Sequence, residues 1–278
     1  MYTPATKRLS LIWAAICALM LCAPELTQAL EYNIEVTADK SVKKIVITNS
    51  FIDDKRLGGK FKNNRIEIIY SDGTKTIVTD RCVDGTIDDR IIERIIDGTK
   101  IIETDWNSNG KLDAKRIEKT VDGKTTTEVD WYADGTVDHR KTERMVDGAK
   151  ITEYDDYADD KIDKRYIETV VDGTKIRKID FRGDGTIDRI RTERIVEGVK
   201  LIEEDNGLDG TIDKRYIERR VGGTKITEYD YDANGKIDNR RTERMVDGVK
   251  IIETDRNVDG IIDGKKIESV IEINLIRD

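Results

Sequence analysis

The sequence predicts an all-β fold of tandem antiparallel β-hairpins, arranged as an elongated meander or spiral. Three observations predict this fold. An acidic loop of the form D-x-N-x-D-G-x-I-D, most complete from Asp255 to Asp263, recurs every 25 residues. Segments rich in Ile, Val and Thr follow each loop, and Asp-Gly pairs divide many of these segments in two. A fixed period of 20 to 50 residues is typical of repeat architectures.

The first 29 residues have the three-part pattern of a secretory signal peptide. Lys7 and Arg8 form a basic start, residues 9–21 are almost wholly apolar, and small residues precede a cleavage point after Ala29. We therefore expect an exported protein that is extracellular, at the cell surface or in the periplasm. No second long apolar run follows, so the pattern predicts no membrane span.

The cysteines exclude a disulfide framework. A lipoprotein anchor at Cys22 is disfavoured because Leu21 stands where a small residue is expected. After the predicted cleavage only Cys82 remains, and one thiol cannot form an intramolecular disulfide. We therefore expect hydrogen-bonded strands, packing or bound ions to stabilise the chain.

The composition is highly charged, with 38% Asp, Glu, Lys and Arg and a formal net charge of −8. Such a composition favours disorder, but the strict period and the β-branched content favour an ordered fold. Acidic and basic residues alternate, so the sequence lacks the one-signed basic face of nucleic-acid-binding proteins. We expect no nucleic-acid partner.

Residues 30–79 are a divergent start with four short β-prone segments. These segments are Tyr32 to Thr37, Lys44 to Thr48, Arg65 to Tyr70 and Thr74 to Thr79. Terminal repeats are often atypical because they cover an open end of the array. We predict that residues 30–79 form a divergent N-terminal β repeat, or cap.

Residues 80–278 contain eight repeats, each predicted to be one β-hairpin. Asp-Gly between β-prone segments favours a two-residue type I′ turn, which sets Val246 opposite Val249 and Arg244 opposite Ile251. One glutamate recurs in every repeat, and its spacing predicts cross-strand charge pairing rather than catalysis. These residues are Glu93, Glu118, Glu143, Glu168, Glu193, Glu218, Glu243 and Glu268.

A second period of 50 residues supports an alternative architecture. Some repeats carry Thr-Glu, as at Thr192-Glu193, where others carry Tyr-Ile-Glu, as at Tyr166-Ile167-Glu168. Four strands per 50 residues would give five modules, which suits a five-bladed β-propeller. The low aromatic content favours the open meander or spiral.

The acidic loops resemble the calcium loop of EF-hand proteins over about nine residues. They depart from it at position twelve, where residues such as Arg116, Arg241 and Lys266 replace the bidentate Glu. The resemblance implies calcium ligands at the first, third, fifth and ninth positions, and three loops keep oxygens at all four. These sets are Asp105, Asn107, Asn109 and Asp113; Asp230, Asp232, Asn234 and Asp238; and Asp255, Asn257, Asp259 and Asp263. Tight turns without metal remain the alternative, because Asp-Gly and Asn-Gly favour such turns by themselves.

A partial resemblance concerns the YD repeats of bacterial shell and toxin-delivery proteins. The segment from Glu228 to Lys236 is similar to their Y-x-Y-D-x-x-G core, and Tyr154 to Tyr157 is a weaker match. Those proteins are hairpin repeats that wind into a β-sheet spiral. This resemblance therefore implies the open architecture.

No catalytic motif stands out, because the recurring carboxylate pairs are equivalent in all repeats and an active site is a single cleft. The sequence predicts an exported, non-catalytic, calcium-binding repeat protein that acts as a structural, surface or interaction module. Its partner would be an unidentified protein or glycan. The alternative is a lectin-like β-propeller that binds carbohydrate or another ligand.

Overall fold

The computed structural model describes residues 6–11, 32–37, 42–54, 59–81 and 86–274. The predicted cleavage point after Ala29 and the thiols of Cys22 and Cys82 lie outside the described residues. Strand β1 (Thr6–Leu11) falls within the predicted signal peptide and pairs antiparallel with β2 (Tyr32–Thr37). Among the described residues, no helix has the length and apolar content needed to cross a bilayer.

The remaining described strands follow the predicted rhythm of two per repeat. Their bounds are β3 Val42–Asp54, β4 Gly59–Tyr70, β5 Lys75–Asp80, β6 Asp89–Ile96, β7 Thr99–Asp105, β8 Ala114–Val121, β9 Lys124–Asp130, β10 His139–Val146, β11 Ala149–Asp155, β12 Lys164–Val171, β13 Thr174–Asp180, β14 Arg189–Val196, β15 Val199–Asp205, β16 Lys214–Val221, β17 Thr224–Asp230, β18 Asn239–Val246, β19 Val249–Asp255 and β20 Gly264–Asn274. The four strands predicted within residues 30–79 are confirmed, and the second and third are longer than predicted.

The hydrogen-bonded order of β3 to β20 is closed. Each strand neighbours the next in sequence, and β20 neighbours β3, so these eighteen strands of the described chain form a closed antiparallel barrel. The all-β prediction is confirmed. The elongated meander or spiral is wrong, and the five-bladed propeller is wrong as well, because both need sheets that do not close in this way. The repeat pattern specifies pairing between sequence neighbours, and it carries no signal for pairing of β20 with β3.

Closure also corrects the predicted function. An open array stiffened by calcium and used as a secreted structural or interaction module is wrong, because the strands form a barrel. The lectin-like propeller is wrong for the same reason. Calcium binding as a defining property of the protein loses its basis, since the strands close the sheet through their own hydrogen bonds. Whether a single loop holds a cation is a separate question.

The expectation of no membrane span is wrong too. It rested on the absence of a second apolar run, which is the signature of a membrane helix. A closed antiparallel sheet satisfies its backbone N–H and C=O groups between strands and is the second architecture that can cross a bilayer. A sequence without an apolar helix is therefore compatible with a spanning barrel.

The Asp-Gly turns have the conformation that the sequence predicts. Asp97 and Gly98 have φ values of 48° and 74°, and Asp147 and Gly148 have 50° and 78°. Positive φ at both central residues defines the type I′ turn, whose twist matches that of the flanking strands. In the β10–β11 hairpin, Val146 pairs with Ala149 and Arg144 pairs with Ile151. This is the register predicted for the equivalent repeat at Val246.

The chain divides into two compact units. The first comprises Met1–Asp113, Met245–Ile251 and Lys265–Asp278, and the second comprises Ala114–Arg244 and Ile252–Gly264. The first unit contains a small apolar core on strands β3, β4 and β5, formed by Ile45, Ile66, Ile68, Tyr70 and Val78. In the second unit, neighbouring hairpins pair side by side from β8 to β18.

Candidate functional site

The acidic loops of the described chain are hydrogen-bonded turns. In most of them, Oδ2 of the lead aspartate accepts a bond from the backbone N–H five residues later, as in Asp130 with Gly135 at 2.8 Å. The aspartate at the ninth position accepts from the backbone N–H of the second residue, as in Asp138 with Trp131 at 2.7 Å. Loop carboxylates therefore replace the backbone partners that an irregular segment lacks.

The loops at Asp105 and Asp255 use their lead carboxylates fully in this way. Asp105 accepts from the N–H groups of Asn109 at 3.1 Å and Gly110 at 2.8 Å. Asp255 accepts from those of Asp259 at 3.2 Å and Gly260 at 3.0 Å.

The remaining predicted ligands in these two loops behave similarly. The side chains at the fifth position, Asn109 and Asp259, each accept a hydrogen bond from the backbone N–H two residues later. The side chains at the ninth position, Asp113 and Asp263, each accept one from the backbone N–H of the second loop residue. The third-position residues, Asn107 and Asn257, are exposed. These hydrogen bonds are the ones that a tight turn without metal makes.

The loop at Asp230 is different. One carboxylate oxygen from each of Asp230, Asp232 and Asp238 lies within 4.8 Å of the others, and in the described residues no other group of three acidic side chains converges so closely. Asp230 is 1% exposed, Asp232 is exposed and Asp238 is half-buried. The fourth predicted ligand, Asn234, accepts from the N–H of Lys236 and donates its amide to Asp232.

The strands of the second unit have two polar faces. One, here called the Lys–Glu face, carries Glu143, Lys150, Thr152, Tyr166 and Glu168 in adjacent register positions. On this face the recurring glutamate of four repeats pairs with a lysine across its own hairpin. These pairs are Glu143–Lys150 at 3.0 Å, Glu168–Lys175 at 2.8 Å, Glu193–Lys200 at 2.7 Å and Glu218–Lys225 at 2.9 Å. The predicted cross-strand charge pairing is confirmed.

Three clefts of the second unit open on the Lys–Glu face. The largest has a volume of about 280 Å³ and is lined by Glu143, Lys150, Thr152, Tyr154, Tyr166, Glu168 and Arg177. The second is lined by Glu218, Lys225, Thr227, Tyr229, Arg241 and Glu243. The third is lined by Lys175, Arg177, Arg191 and Glu193. Both charge signs and several hydroxyl groups line these clefts, so the face is suited to water and small polar solutes.

The opposite face, here called the Arg–Glu face, is held by buried glutamates that bridge three strands. Glu153 is 7% exposed and pairs with Arg144 at 2.6 Å on β10 and with Arg165 at 2.9 Å on β12. The same arrangement, here called a clamp, recurs with Glu203 between Arg194 and Arg215, and with Glu228 between Arg219 and Arg240. Neither face of these strands is continuously apolar.

One group of exposed apolar residues lies where the hairpins turn. Met145, Val170 and Ile195 are 63%, 68% and 73% exposed, and each lies within two residues of its turn. The neighbours Val121, Val146, Val171, Val196 and Val221 are also exposed. The side-by-side pairing of the hairpins gives this end of the second unit a repeating apolar edge. The apolar edge is only two residues deep, because the charged Arg144 is the next residue away from the turn after Val146 and Met145.

Comparisons with known proteins give only distant similarities. No known protein family matches the chain, and no curated protein matches it. Among solved structures, a mutant of the Rh. blastica porin has a TM-score of 0.41 and 12% identity, covering 85% of this chain and 100% of that one. Pseudomonas aeruginosa OpdQ has a TM-score of 0.41 and 8% identity, with coverages of 85% and 99%. Pseudomonas aeruginosa OccK11 (OpdR) has a TM-score of 0.29 and 8% identity, covering 84% of this chain and 96% of that one. Similarities of this size carry no argument about function.

Sequence reasoning overlooked both the clefts and the apolar edge. The signal for the edge was present, because a Val, Ile or Met pair precedes most Asp-Gly turns and must stand at the end of the hairpin. The clefts had no such signal. The clefts depend on the order of neighbouring strands and on the curvature of the sheet. The sequence of a single repeat does not encode that curvature.

Proposed function

We propose that this protein is a transport channel, an exported β-barrel that passes small polar solutes rather than an enzyme. The observation that carries the proposal is the closed order of strands β3 to β20. A closed antiparallel sheet surrounds a lumen, and larger barrels enclose a channel rather than a packed core. The cell envelope is the corresponding location.

The Lys–Glu face is the lining that this function requires. Clefts open on this face, and its charges occur in pairs of opposite sign. The interiors of transmembrane barrels are polar, and substitutions in the lumen change selectivity. The scarcity of buried apolar side chains in the second unit, where Val129, Ile179 and Ile252 are among the few, agrees with a hydrated interior.

The charges of the Arg–Glu face add a free-energy cost to insertion of the barrel into a bilayer. Lipid-facing surfaces of such barrels carry an apolar band about 25 Å tall, and Arg or Lys at the bilayer midplane costs about 2–4 kcal/mol. In the clamps, the negative charge of Glu153 offsets part of the charge of Arg144 and Arg165. The apolar edge at the hairpin turns offers lipid-compatible surface over roughly 7 Å, since each strand residue rises about 3.4 Å.

Reconstitution of the chain from residue 30 onward into planar bilayers tests the proposal. We expect stepwise conductance, and we expect liposomes that contain the protein to swell in small polar solutes. Absence of conductance steps, with the protein remaining in the aqueous phase, contradicts the channel.

A matched pair of variants tests which face lines the passage. Arg177→Gln removes one positive charge from a cleft on the Lys–Glu face. Lys178→Gln removes one positive charge from the Arg–Glu face, because Lys178 is the next residue on the same strand and is exposed on the opposite side. We expect Arg177→Gln to shift ion selectivity toward cations and Lys178→Gln to leave it unchanged. Equal shifts in both variants contradict the assignment of the lining.

A further inference from the structure

We infer that the loop between β17 and β18 is a binding site for one divalent cation, with Asp230, Asp232 and Asp238 as its carboxylate ligands. This inference is independent of transport. The three side chains occupy the first, third and ninth positions of the loop, and one oxygen of each lies within 4.8 Å of the others. Three formal negative charges at such distances repel one another when no cation is present.

A second observation concerns Asp230 itself. Its carboxylate is 1% exposed, Oδ2 accepts a bond from the N–H of Gly235 at 2.9 Å, and Oδ1 is buried without any hydrogen-bond partner. A buried carboxylate oxygen without a donor costs free energy, because neither water nor protein replaces its lost hydration. A cation held by the same carboxylate supplies the missing partner.

The equivalent loops show that this free oxygen is not a feature of the repeat. Oδ1 of the lead aspartate accepts a loop N–H in the repeats at Asp105, Asp130 and Asp255. In the Asp230 loop, the corresponding N–H of Asn234 is directed to Asp232 instead, at 3.3 Å. Asp205 also has a free Oδ1, but glycine stands at the third position of that loop and supplies no ligand.

The ligand set favours calcium among the common divalent cations. Calcium accepts six to eight oxygen ligands in flexible geometry, from carboxylates, carbonyls and water, whereas magnesium demands near-ideal octahedral geometry at shorter distances. Asp232 is exposed, so water has access to the open side of the site. Asp238 uses Oδ2 to accept from the N–H of Tyr231 at 2.7 Å, which holds its carboxylate in position.

Equilibrium dialysis of the chain from residue 30 onward against calcium alone tests the site. We expect one saturable calcium ion per chain. Asp232→Asn keeps the size of the exposed side chain and removes one charge, so we expect calcium affinity to fall at least tenfold. Asp259→Asn makes the same change at an exposed position of the Asp255 loop, and we expect it to leave the affinity within twofold.

Three outcomes overturn the inference. They are no saturable binding to the unsubstituted chain, unchanged affinity in Asp232→Asn, and an equal loss in Asp259→Asn, which would indicate diffuse attraction to an acidic surface. Because Asp232 is exposed and lies outside the strands, circular dichroism of Asp232→Asn is expected to match that of the unsubstituted chain. The affinity comparison therefore reports binding rather than folding.

Discussion

Individual carboxylates in the acidic loops act first as hydrogen-bond acceptors. Asp184, at the fifth loop position, accepts from the N–H of Thr186 at 2.8 Å, and Asp134 accepts from Thr136 at the same distance. Such bonds stabilise the charged form of the acid. This single role explains most of the Asp and Asn pattern that also resembles a metal-binding loop.

The pKa of Asp184 provides a test at this scale. The backbone N–H of Thr186, followed by its hydroxyl, holds the pKa of Asp184 below its usual value. A pKa that is lower in the folded state adds stability above the unfolded value of about 3.9, and this stability is lost as the pH falls through the folded value. Carboxyl carbon NMR titration is expected to show a midpoint below that of an unstructured Asp. Thr186→Ala, which keeps the N–H, should lower the pKa less, and a normal midpoint in the unsubstituted chain contradicts this account.

Gly183 is the most sterically constrained glycine of the described loops. Its φ is +65°, and an added Cβ would overlap the backbone carbonyl of Ile162 in the preceding acidic loop. Left-handed backbone and overpacking together predict that Gly183→Ala destabilises the fold by about 2–4 kcal/mol. Urea unfolding measures the loss. Gly207→Ala is the control, because its Cβ would meet nothing within 4 Å and its φ is not positive, so a comparable loss there would contradict the steric explanation.

At the scale of elements, the three-strand clamps connect one hairpin to the next. Glu153→Ala leaves Arg144 and Arg165 without their shared partner, and we expect a loss of about 1–3 kcal/mol, since partly exposed arginines retain some hydration. Chemical denaturation measures the loss. Glu253→Ala removes a glutamate for which we observe one arginine partner, Arg244, and it should cost less. An equal cost in both variants would show that bridging two hairpins adds nothing.

For the whole molecule, the decisive contact lies between the first and last strands of the barrel. Lys44 on β3 and Glu272 on β20 form an ion pair at 2.8 Å, although 228 positions separate them in sequence. A zero-length carbodiimide cross-linker should join these two side chains, and mass spectrometry should detect the linked peptides. The reaction should stay intramolecular at low protein concentration. Lys44→Arg is the control, because arginine does not form this amide, and failure of the unsubstituted chain to cross-link contradicts closure.

The sequence by itself determined the local structure. Asp-Gly pairs specify type I′ turns because few residue pairs accept positive φ twice, and the turn then sets the register of Val146 with Ala149 and the pairing of Glu143 with Lys150. Strand content and hairpin register follow from interactions within about 25 residues, so a period of that length encodes them.

Only the tertiary structure decided that the sheet closes and which hydrogen bonds each acidic loop makes. Pairing of β20 with β3 depends on the accumulated curvature of many hairpins, which no single repeat encodes. The free oxygen of Asp230 depends on which acceptor the N–H of Asn234 selects, and near-identical loop sequences resolve that choice differently. A repeat specifies what is common to its copies. Closure of the sheet arises from long-range pairing, and the free oxygen of Asp230 arises from differences between the copies.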